Sequence, residues 1–132
     1  MLKKIKYSIA LLLSISFSTA GALVVIAPEP QNANTVSRNE VDTLITRSAF
    51  KYALSPSKME KIIMCESSFK TTAKKITSKE ASYGIVQINT LVHNISIEQA
   101  TDPEFAINFL AENMANGKAS QMWYTCFKKA NS

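Results

Sequence analysis

With 132 residues, 46% of them hydrophobic, the chain is long enough for one domain with a modest core. Its formal charge of +5 is front-loaded: Lys3, Lys4 and Lys6 precede the first apolar run, and from Pro28 onward 12 Lys and Arg stand against 10 Asp and Glu. The basic residues are scattered rather than striped, which excludes a nucleic-acid footprint and leaves a mildly basic surface suited to an anionic polymer.

The three lysines, the apolar run Ile9 to Ile15 and the small residues Ala20-Gly21-Ala22 form the pattern of an export leader. A signal peptide over 1–22 is expected. The alternative is an uncleaved membrane anchor over 1–27, because no charge occurs between Tyr7 and Pro28, about the 20 residues a bilayer needs. Either arrangement sends the remainder out of the cytoplasm, to periplasm, envelope or medium. Residues 28–36, polar and proline-bearing, read as a linker, and 37–132 as the folded domain.

Ser37 with Glu40 predicts a capping box, and Val41, Leu44, Ile45, Ser48 and Tyr52 follow at helical spacing. This first helix should end by Leu54. Ser57 with Glu60 predicts the start of a second helix, on which Met59, Ile62, Ile63 and Glu66 share one stripe. A carboxylate thus sits at the end of an apolar face. Burial there disfavours the charged form and should raise its pKa, as a general acid needs. The plainer alternative is a solvated Glu on a frayed last turn.

Lys70 to Ser82 show no period and are expected to be a loop. Tyr83-Gly84-Ile85-Val86-Gln87-Ile88-Asn89 follows, in a domain with few glycines, so Gly84 should mark a special backbone angle or a close approach. Gln87 and Asn89 would lie on one side of an extended segment, able to bond sugar hydroxyls or N-acetyl groups. Taken alone, the segment reads first as a short core element with two exposed amides. His93, beyond it, could line a cleft, although a lone histidine in a polar loop is usually exposed. Ser96 with Gln99 starts a short helix. Thr101-Asp102-Pro103-Glu104 starts another, with a capping box and proline at its first position. That helix buries Phe105, Ala106, Phe109, Leu110 and Met114, and Gly117 caps it. A last helix is expected over Ser120 to Lys129. Its Trp123 and Tyr124 either line a cleft or belong to the core.

Cys65 and Cys126 both lie in the exported part, where a cysteine pair is usually bridged. Such a bridge would stabilise the fold by roughly 4 kcal/mol on chain-entropy grounds. Two cysteines and one histidine at these spacings do not make a zinc site, and nothing orients Cys65 as a nucleophile.

Three pieces in order resemble one family. Glu66-Ser67-Ser68-Phe69 resembles the Glu-Ser-x-Phe motif of soluble-lytic-transglycosylase-type domains. The segment Tyr83 to Asn89 is similar to their Gly-Leu-Met-Gln-Ile stretch, with Val86 in place of Met. Asp102 to Phe109 resembles the helix that follows, with its Asp-Pro start and internal Asn. The resemblance spans about Glu40 to Phe127. It departs at the end, where Met122-Trp123-Tyr124-Thr125-Cys126 stands in place of an Ala-Tyr-Asn-x-Gly stretch.

The resemblance implies a mainly α, lysozyme-like domain with a short irregular or β segment near 83–89. It implies cleavage of peptidoglycan glycan strands between N-acetylmuramic acid and N-acetylglucosamine, with a 1,6-anhydro product. Glu66 would be the catalytic acid, and Ser67, Tyr83, Gln87, Asn89 and Tyr124 the substrate-binding set. No metal or cofactor is implied, and the chain should act as a monomer on the wall polymer, touching a membrane only through an anchor. One rival is a muramidase that hydrolyses the same bond with Glu80 as its second carboxylate. Glu80 otherwise reads as a solvated loop charge beside Lys79. The other rival is a wall-binding module without activity.

Overall fold

The computed structural model describes residues 36–132; the expected leader and nearly all of the linker lie outside the described residues. Among the described residues six helices and one small sheet occur in the order α1 (Arg38–Lys51), α2 (Pro56–Ser67), β1 (Lys74–Ile76), β2 (Ala81–Tyr83), β3 (Ile88–Asn89), α3 (Ile97–Thr101), α4 (Pro103–Ala115), α5 (Ala119–Met122) and α6 (Tyr124–Ala130). The chain is mainly helical, as expected. No helix among the described residues is long and apolar enough to cross a membrane.

The capping box of α1 forms as read: Glu40 N donates to Ser37 Oγ at 3.3 Å, and Ser37 N donates to Glu40 Oε2 at 2.8 Å. Val41, Ile45, Ser48 and Ala49 are its buried face. Ser48 Oγ donates to Asn108 Oδ1 at 2.9 Å, so the internal asparagine of α4 ties the two helices together. Ala53, at φ +51°, ends α1 with a left-handed residue, and Leu54 N returns to Ala49 O at 2.8 Å, the Schellman closure usually given to glycine.

Helix α2 corrects the sequence reading at its start. Its N-cap is Ser55, not Ser57, and Pro56 is the first helical residue. Proline fits there because its missing N–H would be unpaired anyway. The stripe itself holds: Met59, Ile62 and Ile63 are fully buried, against α1 and α6.

A second correction concerns 70–82, which is not a featureless loop. It contains β1 and most of β2, antiparallel in register Lys74 to Tyr83 and Ile76 to Ala81. Strand β3 pairs on the far side of β2, Ser82 with Asn89. Strand β1 is exposed at every residue, so it carries no alternation of buried and exposed side chains to read.

Asp102 caps α4, accepting from Glu104 N at 2.9 Å. Thr101, expected to lead that cap, is instead the last residue of α3. The single last helix is in fact two, broken at Trp123 (φ −122°, ψ 44°). The core gathers α1, α2, α4, the segment Ile85–Ile88 and the face of α6 bearing Cys126 and Ala130.

Candidate functional site

Glu66 occupies the last turn of α2, above the buried stripe, and lines a pocket of about 130 Å³ with Glu80, Ser82, Gln87, Ile88, Asn89, His93, Met122 and Trp123. A pocket of this size is far too small to enclose a glycan strand. A polymer would have to lie across the mouth.

The floor is the turn between β2 and β3. Gly84 at φ +77° and Gln87 at φ +54° bound it, and a Cβ on Gly84 would sit 1.8 Å from Ala100 O. Both expectations for this glycine, special angle and close approach, are met. Three successive carbonyls of the turn each take a side-chain donor. Gln87 Nε2 donates to Gly84 O at 2.9 Å, Ser67 Oγ to Ile85 O at 2.6 Å, and Trp123 Nε1 to Val86 O at 2.7 Å. These bonds offset the cost of a left-handed Gln87, of order 1–2 kcal/mol.

The helix wall is fixed by covalent and aromatic means. Cys65, the residue before Glu66, is bridged to Cys126 with S–S 2.00 Å and Cα–Cα 5.6 Å, so the expected disulfide is present. Cys126 follows Trp123 by one turn of α6, and the bridge therefore also places the indole. Phe109 meets Trp123 edge-on at 6.1 Å and His93 at 5.6 Å between centroids, which orients two pocket side chains from α4. After Glu66 the chain leaves through Ser68 (φ +52°) and Phe69 (φ +64°). Arg38 stacks 3.4 Å from the centroid of the Phe69 ring.

Electrostatics divide the two carboxyls. Burial pushes Glu66 up from 4.5 to about 6; Lys75 opposes this and the Glu80 charge adds to it. Roughly a tenth of Glu66 is then protonated at pH 7, against about 0.3% at the starting value. Glu80 moves the other way. Lys75 Nζ lies 2.7 Å from its Oε2 and Ser82 Oγ donates to its Oε1 at 2.8 Å, and these bonds hold its carboxyl below the usual range. One pocket thus holds a carboxyl poised to donate and one held as an anion, the division of labour that acid–base chemistry requires.

Of the residues expected at the site, the pocket brings together Glu66, Gln87 and Asn89. Gln87 and Asn89 do not lie along one extended strand, because Gln87 is left-handed and ends the turn. Asn89 Oδ1 is engaged by Ala81 N at 3.3 Å and Leu91 N at 3.1 Å. Ser67 is buried beneath the floor and bonds Ile85 O, so it holds the site together rather than facing the cavity. Tyr83 faces a different, larger groove with Ile97, Thr101 and Pro103. Tyr124 is 65% exposed and does not line the pocket; its neighbour Trp123 does.

Glu80 keeps contact with solvent, as expected, but it lines the pocket and pairs with Lys75. Ser82 was missed because its strand was missed: in a strand, positions 80 and 82 share a face. His93 lines the pocket rather than standing exposed. No group of three or more metal-ligating side chains occurs among the described residues. Comparison with protein-family models, with curated proteins and with solved structures finds no match to this chain, so any function must be argued from this pocket.

Proposed function

We propose that the chain is an exported lytic transglycosylase with a lysozyme-like helical domain, cleaving peptidoglycan glycan strands between N-acetylmuramic acid and N-acetylglucosamine. The observation that carries this reading is the raised carboxyl of Glu66 in a pocket floored by a pinned, amide-bearing turn. Glu66 gives its proton to the glycosidic oxygen as the bond breaks through an oxocarbenium-like state. Its carboxylate then takes the proton of the muramic 6-hydroxyl, whose oxygen closes the 1,6-anhydro ring on the anomeric carbon. Gln87, with Nε2 spent on Gly84 O, offers its Oε1 as an acceptor to the glycan. Neither metal nor cofactor has a step. Acid help of this kind is worth about 10² to 10⁴ in rate.

Digestion of purified sacculi with product analysis by mass spectrometry tests this. Wild type should release anhydro-muropeptides, and Glu66→Gln should release them at least about a hundredfold more slowly while keeping its helical spectrum. Glycan binding without product would point instead to a wall-binding module and remove the enzyme reading.

A second reading, hydrolysis of the same bond, is favoured by one observation: Glu80 is an anion in the same pocket. Products with reducing ends, lost in Glu80→Gln, would establish it in place of the first.

A further inference from the structure

The two readings differ only in which oxygen attacks, and the structure assigns that choice to Lys75: by occupying Glu80, it withholds a second base from water, making it the residue that sets the outcome of the reaction. This inference rests on the function proposed above. In hydrolysis, water oxygen bonds the anomeric carbon as the glycosidic bond breaks. Glu66 protonates the leaving oxygen, and the proton of the water must go to a second group. Glu80 is the anionic group in the pocket placed to receive it. Both of its oxygens are engaged, Oε2 by Lys75 Nζ at 2.7 Å and Oε1 by Ser82 Oγ at 2.8 Å. A carboxylate that already accepts two donors is a poorer base and less free to orient water.

The two donors are not equivalent. Ser82 is buried in the sheet and belongs to the architecture of β2. Lys75 stands on the exposed strand β1, with its side chain 64% accessible, and can be changed without disturbing the core. The titratable side chains lining this pocket are Glu66, Glu80 and His93, with Lys75 adjoining it at Glu80. With Glu80 occupied, the Glu66 carboxylate left after proton donation is the base nearest the breaking bond, and the internal 6-hydroxyl is the nucleophile it serves. Lys75 bears on the choice of nucleophile through Glu80, beside its direct pull on the Glu66 charge, and is a positioning residue.

Sacculi are digested in ¹⁸O-water by wild type, Lys75→Met, Lys75→Gln, Lys75→Arg and the double variant Lys75→Met with Glu80→Gln. Anhydro ends carry no label from solvent, whereas reducing ends made by hydrolysis do. Wild type should give mainly anhydro ends. Lys75→Met and Lys75→Gln should raise the ratio of labelled reducing ends to anhydro ends at least tenfold. Lys75→Arg, which keeps the ion pair, and the double variant should return it to the wild-type value. A ratio unmoved in both Lys75→Met and Lys75→Gln, or one that stays high in the double variant, overturns the inference while leaving the transglycosylase reading intact. A wild type that already yields mainly labelled ends also overturns it. A wild type that yields no product removes the parent reading, and this one with it.

Discussion

The two walls of the Glu66 pocket are built by opposite means. The helix wall and floor rest on the core, with fully buried Met59, Ile62 and Ile63, a disulfide, and a turn whose carbonyls are bonded to Ser67 and Trp123. The sheet wall is three short strands, the outermost wholly exposed, and its chemistry is an ion pair in contact with water. Rigidity and reactivity are therefore assigned to different parts of the chain. The buried wall sets where the Glu66 carboxyl sits, and the exposed wall sets the charge it faces.

The sharpest test of that division is catalytic. Glu66→Gln should lower turnover on sacculi by two to four decades. For the wild type, kcat/KM should fall as pH rises past about 6, because the donor form is lost there. A profile flat from pH 5 to 8 would place the donor elsewhere. Next comes the bridge: Cys65→Ala with Cys126→Ala should cost about 2–4 kcal/mol in urea unfolding, with activity falling as Trp123 loosens. A loss near zero would mean that α6 is held by packing alone. Gly84→Ala should cost about 3 kcal/mol, from the contact with Ala100 O together with the left-handed angle, and thermal denaturation reads it directly.

Smaller effects follow on stability alone. The folded state favours protonated Glu66, so it binds more protons than the unfolded chain between pH 4.5 and 6, and stability falls as pH rises through that window. Glu66→Gln should thus raise stability at pH 7 by about 1 kcal/mol, after discounting for partial exposure, and by nothing at pH 4. A pH-independent gain would speak against a buried acid. On the sheet wall, Lys75→Met should leave stability essentially unchanged, as exposed pairs contribute little. A clear loss would show that the sheet wall also bears on the fold.

The same contrast explains what could be read from the residues. Periodicity found α2 and placed Glu66 at the end of its stripe, because buried helices write their faces into the sequence. The Asp102-Pro103 start of α4 and the Ser96 to Gln99 box were legible for a similar reason, since caps are local chemistry. Of the sheet, only the β segment near 83–89 was legible; β1 and its pairing were not. Strand β1 reads Lys-Lys-Ile with nothing buried, and its existence depends on pairing to β2 rather than on its own composition. With that strand went the places of Lys75, Glu80 and Ser82. The split at Trp123 was hidden too, because it follows from an indole reaching Val86 O, 37 positions away in the chain, and no local pattern encodes such a bond. Trp123 and Tyr124 were both offered as cleft residues, and only Trp123 lines the pocket, because one residue of helix rotation separates a pocket side chain from a solvent one.

The floor of the pocket has one more consequence. Two of its three bonded carbonyls answer to donors on α2 and beside α6, elements joined by a covalent bridge, so the segment cannot lift away while those helices stay docked. Its amides should therefore trade protons with deuterated solvent only when the entire domain opens, whereas those of the neighbouring β1 hairpin should trade within the native ensemble. A catalyst working on a bulky, insoluble polymer would in that way keep its most exacting contacts in the part of the molecule that breathes least.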